Sequence, residues 1–188
     1  MDAERVSQHS MIAERGCLTA IRARQAIIYD HKKAADQAAD DLRVDGRCYL
    51  RQRSEEADSF DFVVRNAGGR IFHFLAVDKC LFLDSDETRC DCLVFNESVS
   101  LFIEMKENKT RARRGGRKSA LKQLRQSVEW FMEAGLLADL ETVEVIVANG
   151  IYKRPPRFTQ SIIEQTAKLQ LDFPNLNIRY GELPFYKL

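Results

Sequence analysis

The spacing of apolar residues changes character along the chain. From Ser10 to about Leu42 the sequence is rich in Ala, Arg, Gln and Ile, without proline, and Leu18, Ile21 and Ile28 fall near one helical face. This predicts a long helix ending before the turn residues Val44-Asp45-Gly46. Cys48 to Phe60 holds few apolar residues and reads as a loop with room for one short strand. Strand-like runs follow at Phe60–Arg65, Ile71–Val77, Cys90–Phe95 and Val99–Lys106, separated by Asn66-Ala67-Gly68-Gly69, by Asp84–Arg89 and by a turn at Asn96-Glu97. Helical spacing returns at Leu121, Leu124, Val128, Phe131 and Met132, with Ser119 as a candidate N-cap and Gly135 as a stop. Val143–Ala148 reads as a buried strand, Ser161-Ile162-Ile163-Glu164 as a capping box opening another helix, and Leu176–Tyr180 as a last strand. Helix, several strands, helix, strand, helix, strand is the order of an α/β protein whose mixed sheet is flanked by helices.

Two of the strands carry charges that a core strand does not need. Side chains alternate along a strand, so Phe102, Glu104 and Lys106 share one face, and Leu101, Ile103 and Met105 the other. If the strands around Asn96-Glu97 form a hairpin, Asp91 comes to the same end of the sheet as Glu104. Two carboxylates there repel and raise each other's pKa, which a hard divalent cation relieves. Lys106 points to the same place and suits orienting or deprotonating a water, or stabilising developing negative charge. The competing reading is an edge strand whose solvent face carries charge.

Composition narrows the partners. The 188 residues carry a net charge of +1, with 45% hydrophobic and 30% charged residues, which fits a globular chain rather than a disordered one. A nucleic acid must therefore be held by a local patch, not by overall charge. Such a patch exists: between Lys106 and Lys118 stand Lys106, Lys109, Arg111, Arg113, Arg114, Arg117 and Lys118 against the single Glu107, with Gly115-Gly116 lending flexibility. A loop of this kind after the Glu104 strand is placed to grip phosphates; its bland reading is a solvated charge run. No apolar run is long enough to span a bilayer and no N-terminal stretch has the form of a signal peptide, so the cytoplasm is the expected compartment. With an odd count of five cysteines, free thiols are expected over a disulfide framework. Their spacing does not match zinc knuckles.

Asp91 followed by Glu104-Met105-Lys106, with "RCDCLVF", "LFIEMK" and the later "KQL", resembles the PD-(D/E)xK nuclease superfamily of restriction-endonuclease-like proteins. Residues 60 to 148 carry the resemblance, and Cys90 stands where many members have proline. It implies a restriction-endonuclease-like core over 60–188 with an N-terminal helical extension over 1–59. It implies that Asp91, Glu104 and the Met105 carbonyl hold Mg²⁺ or Mn²⁺, that Lys106 is the catalytic lysine, and that Gln123 lines the site. The expected activity is phosphodiester hydrolysis of nucleic acid, DNA first, by a homodimer joined through the N-terminal helix or by a larger assembly. The alternative is a catalytically inert module that binds nucleic acid or a protein in a defence or repair assembly. Asp78, and an acidic residue from the long N-terminal helix such as Glu14 or Asp30, are further candidates near the site.

Overall fold

The computed structural model describes residues 1–31, 44, 47–51, 62–83, 89–106, 113–149 and 160–188, with 113–117 and 149 as backbone alone. Its elements run α1 (Ala3–Gln8), α2 (Ser10–Arg15), β1 (Leu18–Ile21), β2 (Gln25–Asp30), β3 (Cys48–Arg51), β4 (Phe62–Arg65), β5 (Phe72–Ala76), β6 (Cys92–Phe95), β7 (Ser100–Lys106), α3 (Arg113–Glu133), β8 (Thr142–Asn149), α4 (Gln160–Asp172), β9 (Asn177–Glu182) and β10 (Phe185–Lys187). The described residues form a mixed α/β protein with two mixed sheets.

The larger sheet has the order β1-β5-β6-β7-β8-β9. Its first four strands are antiparallel neighbours, and β7, β8 and β9 run parallel. Parallel neighbours need a crossover, and α3 and α4 supply the two. The central strands are near-continuous apolar runs because both faces of the sheet are covered. On one face Phe102 meets Phe131 of α3 edge-on, with ring centroids 5.3 Å apart. On the other lies the smaller sheet, β10-β4-β2-β3, where Cys48 Sγ reaches Met105 Sδ and the Tyr186 hydroxyl donates to Glu144 at 2.7 Å.

The free edge of the larger sheet at β9 is closed by side chains. Gln170 and Thr166 of α4 accept the N–H groups of Ile178 and Tyr180 at 3.3 and 3.2 Å. An edge strand so capped has little to offer an incoming strand.

Three expectations are corrected. The single long helix from Ser10 is a short one: Gly16, at φ 61°, ends α2, and Leu18–Ile21 and Gln25–Asp30 are strands. The Ala, Arg and Gln of the wider segment favour helix, but Thr19, Ile21, Ile27, Ile28 and Tyr29 favour strand, and pairing with β5, β3 and β4 decides the outcome. Among the described residues the N-terminal segment is thus woven into both sheets, and strands stand where Leu18 to Asp30 of the helix expected to join a dimer would lie; the boundary expected at 59/60 lies outside the described residues. Second, α3 begins at Arg113, so Arg113 to Lys118, Gly115 and Gly116 included, are helical backbone rather than loop, and Ser119 lies within the helix. Arginine and lysine are good helix formers, and the packed turns beyond extend the helix through two poor ones. Third, Cys17 and Cys80 form a disulfide; only Cys48, Cys90 and Cys92 are free. Antiparallel pairing of β1 with β5 brings the residues flanking these strands together, with Cα atoms 5.8 Å apart, within disulfide reach. The Gly135 stop is observed, in the left-handed region at φ 67°.

Candidate functional site

The site is built by the register of β6 on β7. Cys92 pairs with Ile103 and Phe95 with Ser100, closed by Asn96, whose side chain accepts the N–H groups of Ser98 and Val99. Continued by one residue, this register sets Asp91 opposite Glu104. Asp91 Oδ2 accepts the Met105 N–H, so the carboxylate is fixed against the strand that carries its partner. Both carboxylates are buried, Glu104 at 1% exposure and Asp91 at 9%.

Glu104 Oε1 pairs with Lys106 Nζ, while Glu104 Oε2 is buried with no hydrogen-bond partner. Lys106 Nζ also donates to Gln123 Oε1 at 3.2 Å, and Gln123 Nε2 donates to the Arg89 carbonyl at 3.1 Å. One turn further along α3, the Ser127 hydroxyl donates to the Gln123 carbonyl and accepts the Cys90 N–H at 2.8 Å. The helix therefore holds Lys106 with one residue and the backbone just before Asp91 with two. Asp91, Glu104, Lys106 and Gln123 are brought together.

Electrostatics follow from burial. Burial pushes the Glu104 carboxyl up from 4.5 to about 7, against the pull of Lys106, and Asp78 adds to the rise. Burial, then the Glu104 charge, raises Asp91 well above the usual carboxylate range; the Met105 N–H and Lys106 oppose this, and Asp30 reinforces it. Asp78 and Asp30 are thus close enough to act on the pair. Asp30 does so from strand β2 of the second sheet, not from a helix. Glu14 is exposed on α2.

Of the basic residues, Lys109 and Arg111 lie outside the described residues. Arg113, Arg114 and Arg117 stand in the first turns of α3, and Lys118 is exposed there. The free thiols of Cys90 and Cys92 are pushed up by burial, and that of Cys48 by its hydrogen bond with Cys92 and then by burial, so none is poised as a nucleophile. Among the described residues, no group of three His, Cys, Asp or Glu side chains is gathered to hold a metal ion. Magnesium does not require one: it commonly takes one or two carboxylates and keeps several waters. A buried carboxylate oxygen without a donor, beside a second carboxylate resisting ionisation, fits such a cation.

Two features escape a reading of the sequence: Ser127, whose only signal is its place one helical turn after Gln123, and the Cys17–Cys80 bridge. No family model, curated protein or solved structure matches this chain.

Proposed function

We propose that the protein is a metal-dependent nuclease of restriction-endonuclease-like fold that hydrolyses phosphodiesters, with DNA as first-choice substrate. The observation that carries this reading is the buried Asp91–Glu104 pair with the unpartnered Glu104 Oε2 beside Lys106. Asp91 and Glu104 would hold Mg²⁺ or Mn²⁺, with Met105 contributing from its backbone. A bound divalent cation supplies Lewis acidity toward a phosphoryl oxygen and makes a coordinated water more acidic.

The chain's own groups do the rest. Lys106, whose Nζ lies against Glu104 Oε1 and Gln123 Oε1, would present an ammonium to a water or to the developing charge on phosphorus. Gln123 fixes the direction of that ammonium, and its bond to the Arg89 carbonyl ties it to the Asp91 strand. The basic first turns of α3 lead straight into Gln123, and Lys118 offers an exposed charge to the phosphate backbone.

A specific observation favours the inert module as a second reading: Asp91 Oδ2 and Glu104 Oε1 already have partners within the chain. Calorimetric titration with Mn²⁺ at pH 8 separates the two. The nuclease reading expects saturable binding that is lost in Glu104→Gln and weakened in Asp91→Asn. Nucleic-acid binding with no metal binding in the wild type is the result expected of the module.

A further inference from the structure

Cys17 lies between Gly16 and β1, and Cys80 lies in the turn that follows β5. This turn is the other half of the grip on Asp91. The N–H groups of Val77 and Asp78 both donate to the Asp91 carbonyl, at 3.0 and 3.3 Å. The turn closes through the Phe82 N–H on the Val77 carbonyl, and it holds Lys79 at φ 56°, a left-handed conformation that a side-chain-bearing residue adopts at a cost. Conformations of this kind persist where surrounding structure over-determines them. Here the constraint comes from the N-terminal segment. Arg15 Nη1 donates to the Cys80 and Leu81 carbonyls, the Ala76 N–H donates to the Cys17 carbonyl, and the disulfide closes the set covalently. Asp91 is therefore held at its carbonyl by the bridged turn and at its carboxylate by Met105.

We infer that the Cys17–Cys80 disulfide is a positioning clamp for Asp91, so that the oxidation state of this pair sets how firmly the carboxylate site is held. The inference rests on reading Asp91 and Glu104 as the site. A dithiol reductant balances the change: its two thiols become a disulfide as the Cys17–Cys80 bond breaks, and each protein sulfur gains a proton. Both cysteines are buried, at 2% and 4% exposure, so the attack follows opening of the turn. In the reduced protein the covalent tie between the Cys80 turn and the N-terminal segment is lost, while the Arg15 bonds, the turn's own backbone closure and the contacts of Phe82 with Trp130 and Arg89 remain.

Amide hydrogen exchange on the full chain tests this without reference to cleavage, so its failure is distinct from failure of the nuclease reading. Protein purified without reductant is first mapped for the Cys17–Cys80 peptide, then compared before and after treatment with dithiothreitol. Exchange at Val77, Asp78 and Met105 is expected to quicken by roughly tenfold or more, as local opening becomes easier, while Val145 and Val147 of β8 keep their rates. The Cys17→Ala/Cys80→Ala double variant is expected to match the reduced protein; should it not fold, the reduced wild type decides alone. Unchanged rates at the three amides, an equal rise at Val145 and Val147, or free thiols at Cys17 and Cys80 in the untreated protein would each overturn the clamp.

Discussion

Glu104→Gln is expected to make the metal-free protein more heat-stable at pH 8 while removing metal-dependent cleavage. The wild-type carboxyl has a folded pKa of about 7 against an ordinary 4.5. A carboxyl raised in the folded state adds no penalty below about 4.5. Its cost to stability grows as pH rises from there to about 7, and is constant above. The separation of the two values corresponds to roughly 3 kcal/mol. Glutamine keeps the shape and an oxygen for Lys106 Nζ but carries no charge, so most of that cost disappears. The pull of Lys106 is already contained in that separation, and what offsets part of the gain is the buried amide –NH₂, which replaces an oxygen that has no hydrogen-bond partner. A gain of about 2 kcal/mol, or roughly 5 °C in Tm for a chain of this size, is expected at pH 8. At pH 4.5 the two proteins should melt together. A variant that is less stable at pH 8, or equally shifted at both pH values, contradicts the account of a site that holds charge at the expense of stability.

The second large effect lies in the packing beneath the site. Phe102→Ala is expected to cost about 3–5 kcal/mol, the range for deleting a fully buried aromatic ring. Phe102 is 0% exposed and meets Phe131 edge-on. Phe131 in turn meets Trp130, and Trp130 meets Phe82 and His9, so a run of ring contacts joins α3 to the sheet and to the N-terminal helices. Removing the first ring loosens the helix that carries Gln123 and Ser127. Leu171, at 81% exposure on α4, is the control: Leu171→Ala should change stability by no more than about 0.5 kcal/mol. Urea unfolding reads both as shifts in midpoint at unchanged slope. Equal effects at the two positions would contradict the assignment of Phe102 to the core.

What the sequence disclosed and what it hid have separate physical causes. The run from Cys92 to Lys106 was legible because two buried strands joined by a short turn fix their own register. Glu104 and Lys106 stood out as the charges in an otherwise apolar strand. The pairing of Asp91 with Glu104 followed from the turn alone. The Leu18–Ile21 and Gln25–Asp30 strands were hidden because the segment around them is rich in Ala, Arg and Gln, which masks their own strand-favouring Thr19, Ile21, Ile27, Ile28 and Tyr29. Their conformation is decided by partners far along the chain: β5 for one, β3 and β4 for the other. The same distance concealed β10, which pairs with β4, and the Cys17–Cys80 bridge, which spans 63 residues. Cysteine parity alone could not name that pair.

The most direct test is cleavage. Wild type and Lys106→Ala are incubated with single-stranded, duplex and branched DNA, and with RNA, in Mg²⁺ or Mn²⁺ and in chelator. The nuclease account predicts cutting of at least one DNA substrate by the wild type with metal, none in chelator, and none by Lys106→Ala. Cutting by both proteins alike, or by neither on any substrate, would contradict it.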